Sequence, residues 1–364
     1  MVAKIRHLYP GGNTCQGFYS FYDYMVSSQV QRKIVLKGGP GVGKSTFMKK
    51  LGEDFITAGI DVEYHWCSSD NDSLDGIVLG KQQFCVVDGT SPHIVDPRFP
   101  GAVDEIINLG EFWDRQAIAQ HKPAIIKLCN DIKNCFARAY LRLQEAGNAY
   151  QECKSYYEEA RDITAVNRNI LALTRDFVPI SSAPGNTRHL FAGAITPLGL
   201  VNKAESIIDS DYSIFAVKGS PGSGLKNLFA HNLNLLELYN YYAEIYHNPF
   251  DPNEIDIIIL PDSKIALLDI SSIFNYTKYL PAIKYKRLLD FDQFSPNIPE
   301  FASSLLDNAR KRFASGISEA VSHIGRAKKY HDELESFYVP AMDFESINLT
   351  RQKIFGQLIQ SLIY

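Results

Sequence analysis

Gly38-Gly39-Pro40-Gly41-Val42-Gly43-Lys44-Ser45-Thr46 is the stretch on which the reading of the chain turns. From Gly38 to Ser45 it spells GxxxxGKS. Ile34-Val35-Leu36 before it read as a buried strand, and Phe47 to Leu51 after it read as helix. Strand, loop and helix in that order are the context a phosphate-cradling P-loop requires. Glycines let successive backbone N–H groups turn into one hollow, on a helix N-terminus that carries partial positive charge. In this reading residues 38–46 hold the phosphates of a nucleotide. Lys44 reaches the β- and γ-phosphates, and the Ser45 hydroxyl ligates Mg²⁺. No Asn-Lys-x-Asp run for guanine occurs, so ATP is the expected nucleotide.

The remaining composition limits the function classes. The chain has 364 residues, enough for two domains with their own cores. Its net charge of −4 supplies no basic field, so nucleic acid is not an expected partner. No apolar run approaches the length of a membrane span, and Met1 to His7 lack the apolar core of a signal peptide. Cys15, Cys67, Cys85, Cys129, Cys135 and Cys153 are scattered, with no CxxC pair. Reduced thiols in a cytoplasmic protein are expected, rather than disulfides or a zinc site.

The chain is written twice. Arg6-His7-Leu8 with Gly11, Thr14 and Gly17 returns as Arg188-His189-Leu190 with Gly193, Thr196 and Gly199, a shift of 182 residues. Gly38 to Gly43 returns as Gly219-Ser-Pro-Gly-Ser-Gly224 at a shift of 181. Asp75-Gly-Ile-Val-Leu79 returns as Asp256 to Leu260, and Phe84-Cys-Val-Val-Asp88 as Ile265 to Asp269. A near-constant shift indicates tandem duplication. The expected domains are 1–183, with an intact loop, and 184–364, with a degenerate one. They join at the turn-rich Ser181–Asn186.

Within half one, Lys4–Tyr9, Lys33–Lys37, Val62–Trp66 and Phe84–Val87 read as strands. Gly11-Gly12-Asn13 reads as a turn and Phe18–Val26 as a short helix. Apolar strands alternating with helices predict an α/β fold of two doubly wound parallel sheets, one per half. From Pro123 to about Arg161 apolar residues recur every three or four positions, a helical insertion of roughly 55 Å if unbroken, with Gly147 as the place for a bend. A second such helix spans about Glu300–Tyr338. Apolar faces of this kind are core more often than partner-binding arms.

Ligands of α/β sheets bind at the carboxyl ends of strands. Asp88 closes its strand there and fits a Walker B carboxylate, a second Mg²⁺ ligand beside Ser45. Gly89 follows it, where vigorous ATPases carry a glutamate. The next loop brings His93, Asp96 and Arg98, of which His93 and Asp96 are catalytic candidates with Lys44 and Asp88. Its prolines also suit a solvated loop. Asp70, Asp72 and Asp75 are further acids near the site, whereas His65 reads as a core histidine. In half two Leu225 replaces Lys44 and Lys226 replaces Ser45 in register, which predicts poor Mg²⁺ coordination.

The repeat, the 38–46 loop, Cys67-Ser-Ser-Asp-Asn-Asp-Ser-Leu-Asp-Gly76 and Asp88-Gly-Thr-Ser-Pro-His93 resemble a Firmicutes-type bacterial family of tandem-duplicated P-loop ATPase-like proteins. The resemblance spans essentially the whole chain and implies ATP binding in a duplicated P-loop fold. The altered second loop departs from copies in which both loops are intact. The leading expectation is a Mg²⁺-dependent ATPase or ATP-driven switch with one competent site, in half one. A small-molecule or nucleotide kinase is the first alternative, although no arginine-rich lid is evident. An ATP-sensing scaffold that binds a protein partner through its long helices is the second.

Overall fold

The computed structural model describes residues 3–27, 29–90, 94–278, 280, 284–296, 298 and 301–363. Half one contains β1 (Ile5–Leu8), β2 (Gly11–Thr14), β3 (Gly17–Ser20), β4 (Arg32–Lys37), α1 (Lys44–Thr57), β5 (Val62–Trp66), β6 (Leu74–Leu79), β7 (Phe84–Asp88), β8 (Asp104–Asn108), α2 (Arg115–Ala119), α3 (Lys122–Ala160) and α4 (Ile163–Phe177). Half two repeats the order as β9 (Arg188–Phe191), β10 (Gly193–Thr196), β11 (Gly199–Asn202), β12 (Ser213–Lys218), α5 (Leu225–Leu238), β13 (Glu244–His247), β14 (Ile255–Leu260), β15 (Ile265–Asp269), β16 (Tyr285–Asp290), α6 (Ala302–Tyr338) and α7 (Phe344–Ile363).

The class is α/β, but the sheets are mixed rather than parallel. The first runs β1-β5-β6-β7-β4-β8, with β6 antiparallel to both neighbours and the other pairs parallel. The second runs β16-β12-β15-β14-β13-β9, with β14 reversed in the same way. Connection length explains the departure from the parallel expectation. Residues 67–73 join β5 to β6 and residues 80–83 join β6 to β7, too few for the crossover that parallel neighbours need. Gly80, Lys81 and Gln82 take positive φ and close the second connection as a tight hairpin. All six residues of β6 are buried, so no polar alternation marks it as a strand.

The expected turn at residues 11–13 and helix at 18–26 are instead the β2–β3 hairpin, followed by a single 3-10 turn at Tyr22–Tyr24. Thr14 decides this locally. Its Oγ1 donates to Gly17 O (2.8 Å) and accepts from Gln16 N (3.1 Å), while Gly17 takes φ +96°. Thr196 Oγ1 and Gly199 O repeat the bond at 2.9 Å.

Both long helices form, with 39 and 37 residues. α3 runs unbroken through Gly147, where a Cβ would lie 3.3 Å from Cys15 Cβ, so the glycine serves close approach rather than a bend. A Cβ on Gly316 of α6 would lie 2.9 Å from Ala146 Cβ of α3, which places the two helices in close contact there.

The compact units do not follow the two sequence halves, 1–183 and 184–364. Unit one comprises 1–10, 20–137 and 323–364, and unit two comprises 11–19 and 138–322. Each half sends its last helix to the other unit. In unit one, Ile347, Ile354 and Leu358 of α7 are buried with Phe47, Leu51 and Phe55 of α1. Each such side chain stabilises by roughly 1.5–3 kcal/mol. Arg351 of α7 pairs with Asp54 of α1. In unit two, Val166, Ile170, Leu173 and Phe177 of α4 pack with Phe215 and Phe229. Among the described residues no helix is long and apolar enough to cross a membrane, and none of the six cysteines is in a disulfide.

Candidate functional site

The Gly38–Ser45 loop joins β4 to α1 in unit one. Gly43 is the N-cap of α1 at φ +88°, and Gly41 has φ +67°. L-residues seldom adopt either value, so the loop's glycines are backbone requirements. Val42 points its side chain the other way, into the core, and is 1% exposed. Gly43 contributes no side-chain cap, so the first turn of α1 begins without a competing acceptor from its own N-cap.

Lys44, first residue of α1, folds back across the loop. Its Nζ donates to Gly39 O (2.8 Å) and Gly38 O (3.4 Å), and lies 3.6 Å from Asp88 Oδ2. Asp88 ends β7, the parallel neighbour of β4, and its Oδ1 accepts from Thr90 N (2.9 Å) and Thr90 Oγ1 (2.6 Å). Ser45 Oγ accepts from Leu74 N at 3.1 Å, which fixes the hydroxyl beside the start of β6. Cation, hydroxyl and carboxylate are thus brought to one edge of the sheet. Hydroxyl and carboxylate oxygens are the hard donors that Mg²⁺ takes.

The other candidates divide. Asp96 is 75% exposed and pairs with Lys37 Nζ (3.2 Å), which also donates to Gly89 O and Val95 O. The structure therefore ties Asp96 to Lys37, not to Lys44. His93 lies outside the described residues. Asp75 is buried. Burial first, and then the Asp75 carboxylate, push the Tyr22 phenol and the Cys67 thiol well up. Asp70 accepts from Ser73 Oγ and Asp72 N and lies 3.5 Å from Lys328 Nζ, so it organises its loop. His65 is fully buried, 3.5 Å from Glu63, in keeping with a core position.

Sequence reasoning missed what covers the loop. Glu335 of α6 accepts from Gly41 N through Oε1 at 3.1 Å. A Cβ on Gly39 would lie 3.0 Å from the Tyr338 ring, and one on Gly43 would lie 3.3 Å from Phe344. These residues stand about 300 positions later in the chain, and no local signal couples them to the loop. Beside Glu335, His331 and Asp332 bring three potential ligand atoms within 4.8 Å of one another. Glu335 is already committed to Gly41, however, and Asp332 to Lys328.

Unit two holds the counterpart. Leu225 begins α5 where Lys44 begins α1, and Asp256 and Asp269 correspond to Asp75 and Asp88. Gly219 and Gly222 line a cavity of about 220 Å³ together with Asp256, Asp269, Lys226 and Arg310. Among the described residues Asp269 makes no ion pair. Burial, and then Asp256, raise its carboxyl to about 7, and burial raises Asp256 to about 6. Hydrogen bonds from Asn248, Ser272 and Tyr276 act against the rise at Asp256.

This predicts a stability effect with a definite sign. A raised carboxyl keeps in the folded chain a proton that the unfolded chain has released. Stability is then full below about pH 4 and falls as pH rises toward 7. Asp269→Asn keeps the uncharged form and should raise Tm by about 2–5 °C at pH 8, corresponding to about 1–2 kcal/mol. At pH 4 the gain should vanish. Thermal melts at the two pH values check this, and equal shifts at both would show that Asp269 does not titrate in this range.

Comparison of the chain with protein-family models, curated proteins and solved structures gives no match.

Proposed function

We propose that unit one binds Mg²⁺–ATP on the 38–46 loop and acts as a slow ATPase or an ATP-driven switch. The observation that carries the reading is Lys44 lying between a glycine-rich anion hollow and Asp88, at the carboxyl ends of two adjacent parallel strands. On binding, Lys44 would exchange the Gly39 carbonyl for phosphate oxygens. Backbone N–H groups of the loop would hold the remaining phosphate charge. Ser45 and Asp88 would hold Mg²⁺, which supplies charge neutralisation between the β- and γ-phosphates. The resemblance to tandem P-loop ATPase-like proteins and a cytoplasmic setting belong to the same proposal. Titration of the full chain with a non-hydrolysable ATP analogue in Mg²⁺ tests it. Saturable binding is expected, and no binding at millimolar analogue would overturn it.

Two features favour a switch over rapid turnover. Gly89 follows Asp88 and offers no side chain to activate water. Glu335 also places a carboxylate on the Gly41 amide, where the anion of a ligand would otherwise sit. ATP must displace that carboxylate, so occupancy is transmitted to the 335–344 segment packed on the loop. Glu335→Gln keeps the side-chain size and removes the charge. It should tighten ATP about fivefold, the difference between a charged and a neutral hydrogen-bond competitor. Calorimetry giving wild-type affinity in Glu335→Gln would show that the carboxylate does not compete.

A further inference from the structure

The cavity of unit two combines three features that no single motif supplies. The first is the 219–224 loop, which keeps the glycine positions of its counterpart, with Gly222 at φ +89° and Gly224 at φ +124°. The second is its charge. Glu254 accepts from Lys154 Nζ (2.9 Å) and Tyr150 OH (2.7 Å). Asp256 accepts from Asn248, Ser272 and Tyr276. Asp269 Oδ1 accepts from Ser271 N and Oγ. The acids of the cavity are therefore engaged by donors. Lys226, in contrast, lines the cavity with no hydrogen-bond or ion-pair partner among the described residues. Arg310 stands with it, bonded among the described residues to Tyr157 OH (3.1 Å) and Asp307 (3.4 Å). The third feature is an aromatic wall. Phe313 lies 5.0 Å from Phe250 and 5.8 Å from Tyr150 between ring centroids.

An uncommitted lysine beside a glycine loop calls for an anion, and the aromatic wall calls for an apolar or ring-bearing portion. The size limits the ligand: about 220 Å³ is below the usual range for drug-sized molecules. We propose that this cavity binds a small organic phosphate monoester, without a metal ion. Its phosphoryl group sits on the 219–226 loop between Lys226 and Arg310, and its organic part lies against Phe250 and Phe313. Lys226 stands at the position of Ser45, so an ammonium replaces the hydroxyl that would ligate a divalent cation. The replacement that disables Mg²⁺ coordination is then the one that suits a metal-free phosphate. Asp269, raised to about 7, contributes an O–H in the lower part of the neutral range.

The inference is independent of ATP binding in unit one. Its test is calorimetric titration of the full chain with phenyl phosphate in excess EDTA. One saturable site per chain is expected. Lys226→Gln should weaken it about tenfold, as loss of one charge-assisted bond to phosphate would. Lys226 is exposed, so the variant should keep the wild-type melting curve. Lys44→Ala should leave phenyl phosphate binding unchanged. No saturable binding up to about 10 mM, an unchanged affinity in Lys226→Gln, or a requirement for Mg²⁺ would each overturn the proposal. A Lys44→Ala chain that still bound Mg²⁺–ATP normally would sink the reading of unit one and leave this one standing.

Discussion

Lys44→Ala is expected to lower ATP affinity ten- to a hundredfold and to remove turnover. The ammonium bonds the Gly38 and Gly39 carbonyls of the loop, and its side chain is only 10% exposed. Bonds from a charged donor to phosphate are worth about 1.5–3 kcal/mol each, which sets the range. Removing Lys44 also leaves Asp88 facing the loop without its 3.6 Å partner. Part of the lost affinity therefore comes from repulsion between Asp88 and the γ-phosphate. Lys44→Ala/Asp88→Asn should recover some binding and no turnover, which separates the two contributions. Calorimetry showing wild-type ATP affinity in Lys44→Ala would remove the assignment of the loop as the nucleotide site.

Asp88→Asn should have the second large effect, on metal dependence. Thr90 anchors one carboxylate oxygen through two hydrogen bonds, and the other lies toward Lys44. That geometry survives the change to an amide, so the fold and most nucleotide affinity should persist. An amide is a far weaker ligand for a hard divalent cation than a carboxylate. Turnover should fall by at least about a hundredfold, equivalent to 2.7 kcal/mol. The stimulation of ATP binding by Mg²⁺ should fall with it. Wild-type rates and wild-type Mg²⁺ dependence would show that Asp88 serves only to cap the turn at Thr90.

The two acidic residues and the loop were legible because their signals are local or periodic. GxxxxGKS between an apolar run and a helical one is recognisable within about fifteen residues. The shift of 181 by itself pairs Asp75 with Asp256 and Asp88 with Asp269. The long helices were legible for the same reason, since their apolar spacing repeats over ten turns. β6 was not. A strand buried on both faces has no alternation, and its reversed direction follows from the length of the connections on either side. Thr14 and Gly17 carried the hairpin signal, but the aromatic residues that follow suggested a helix.

By itself the sequence determined the duplication, the α/β class, the glycine loop of unit one and the loss of its lysine and serine in the copy. Each depends on backbone preferences or residue identities that neighbours in the chain decide. The tertiary structure alone decided that α7 belongs with α1 and α4 with α5. It also decided that Glu335 rests on the Gly41 amide, and that Lys226, in register with Ser45, lines a cavity. Burial of apolar surface is non-directional, so an amphipathic stripe states that it will be covered without stating by what. Which partner covers it depends on side chains hundreds of residues apart meeting with complementary shape, and only the folded chain specifies that.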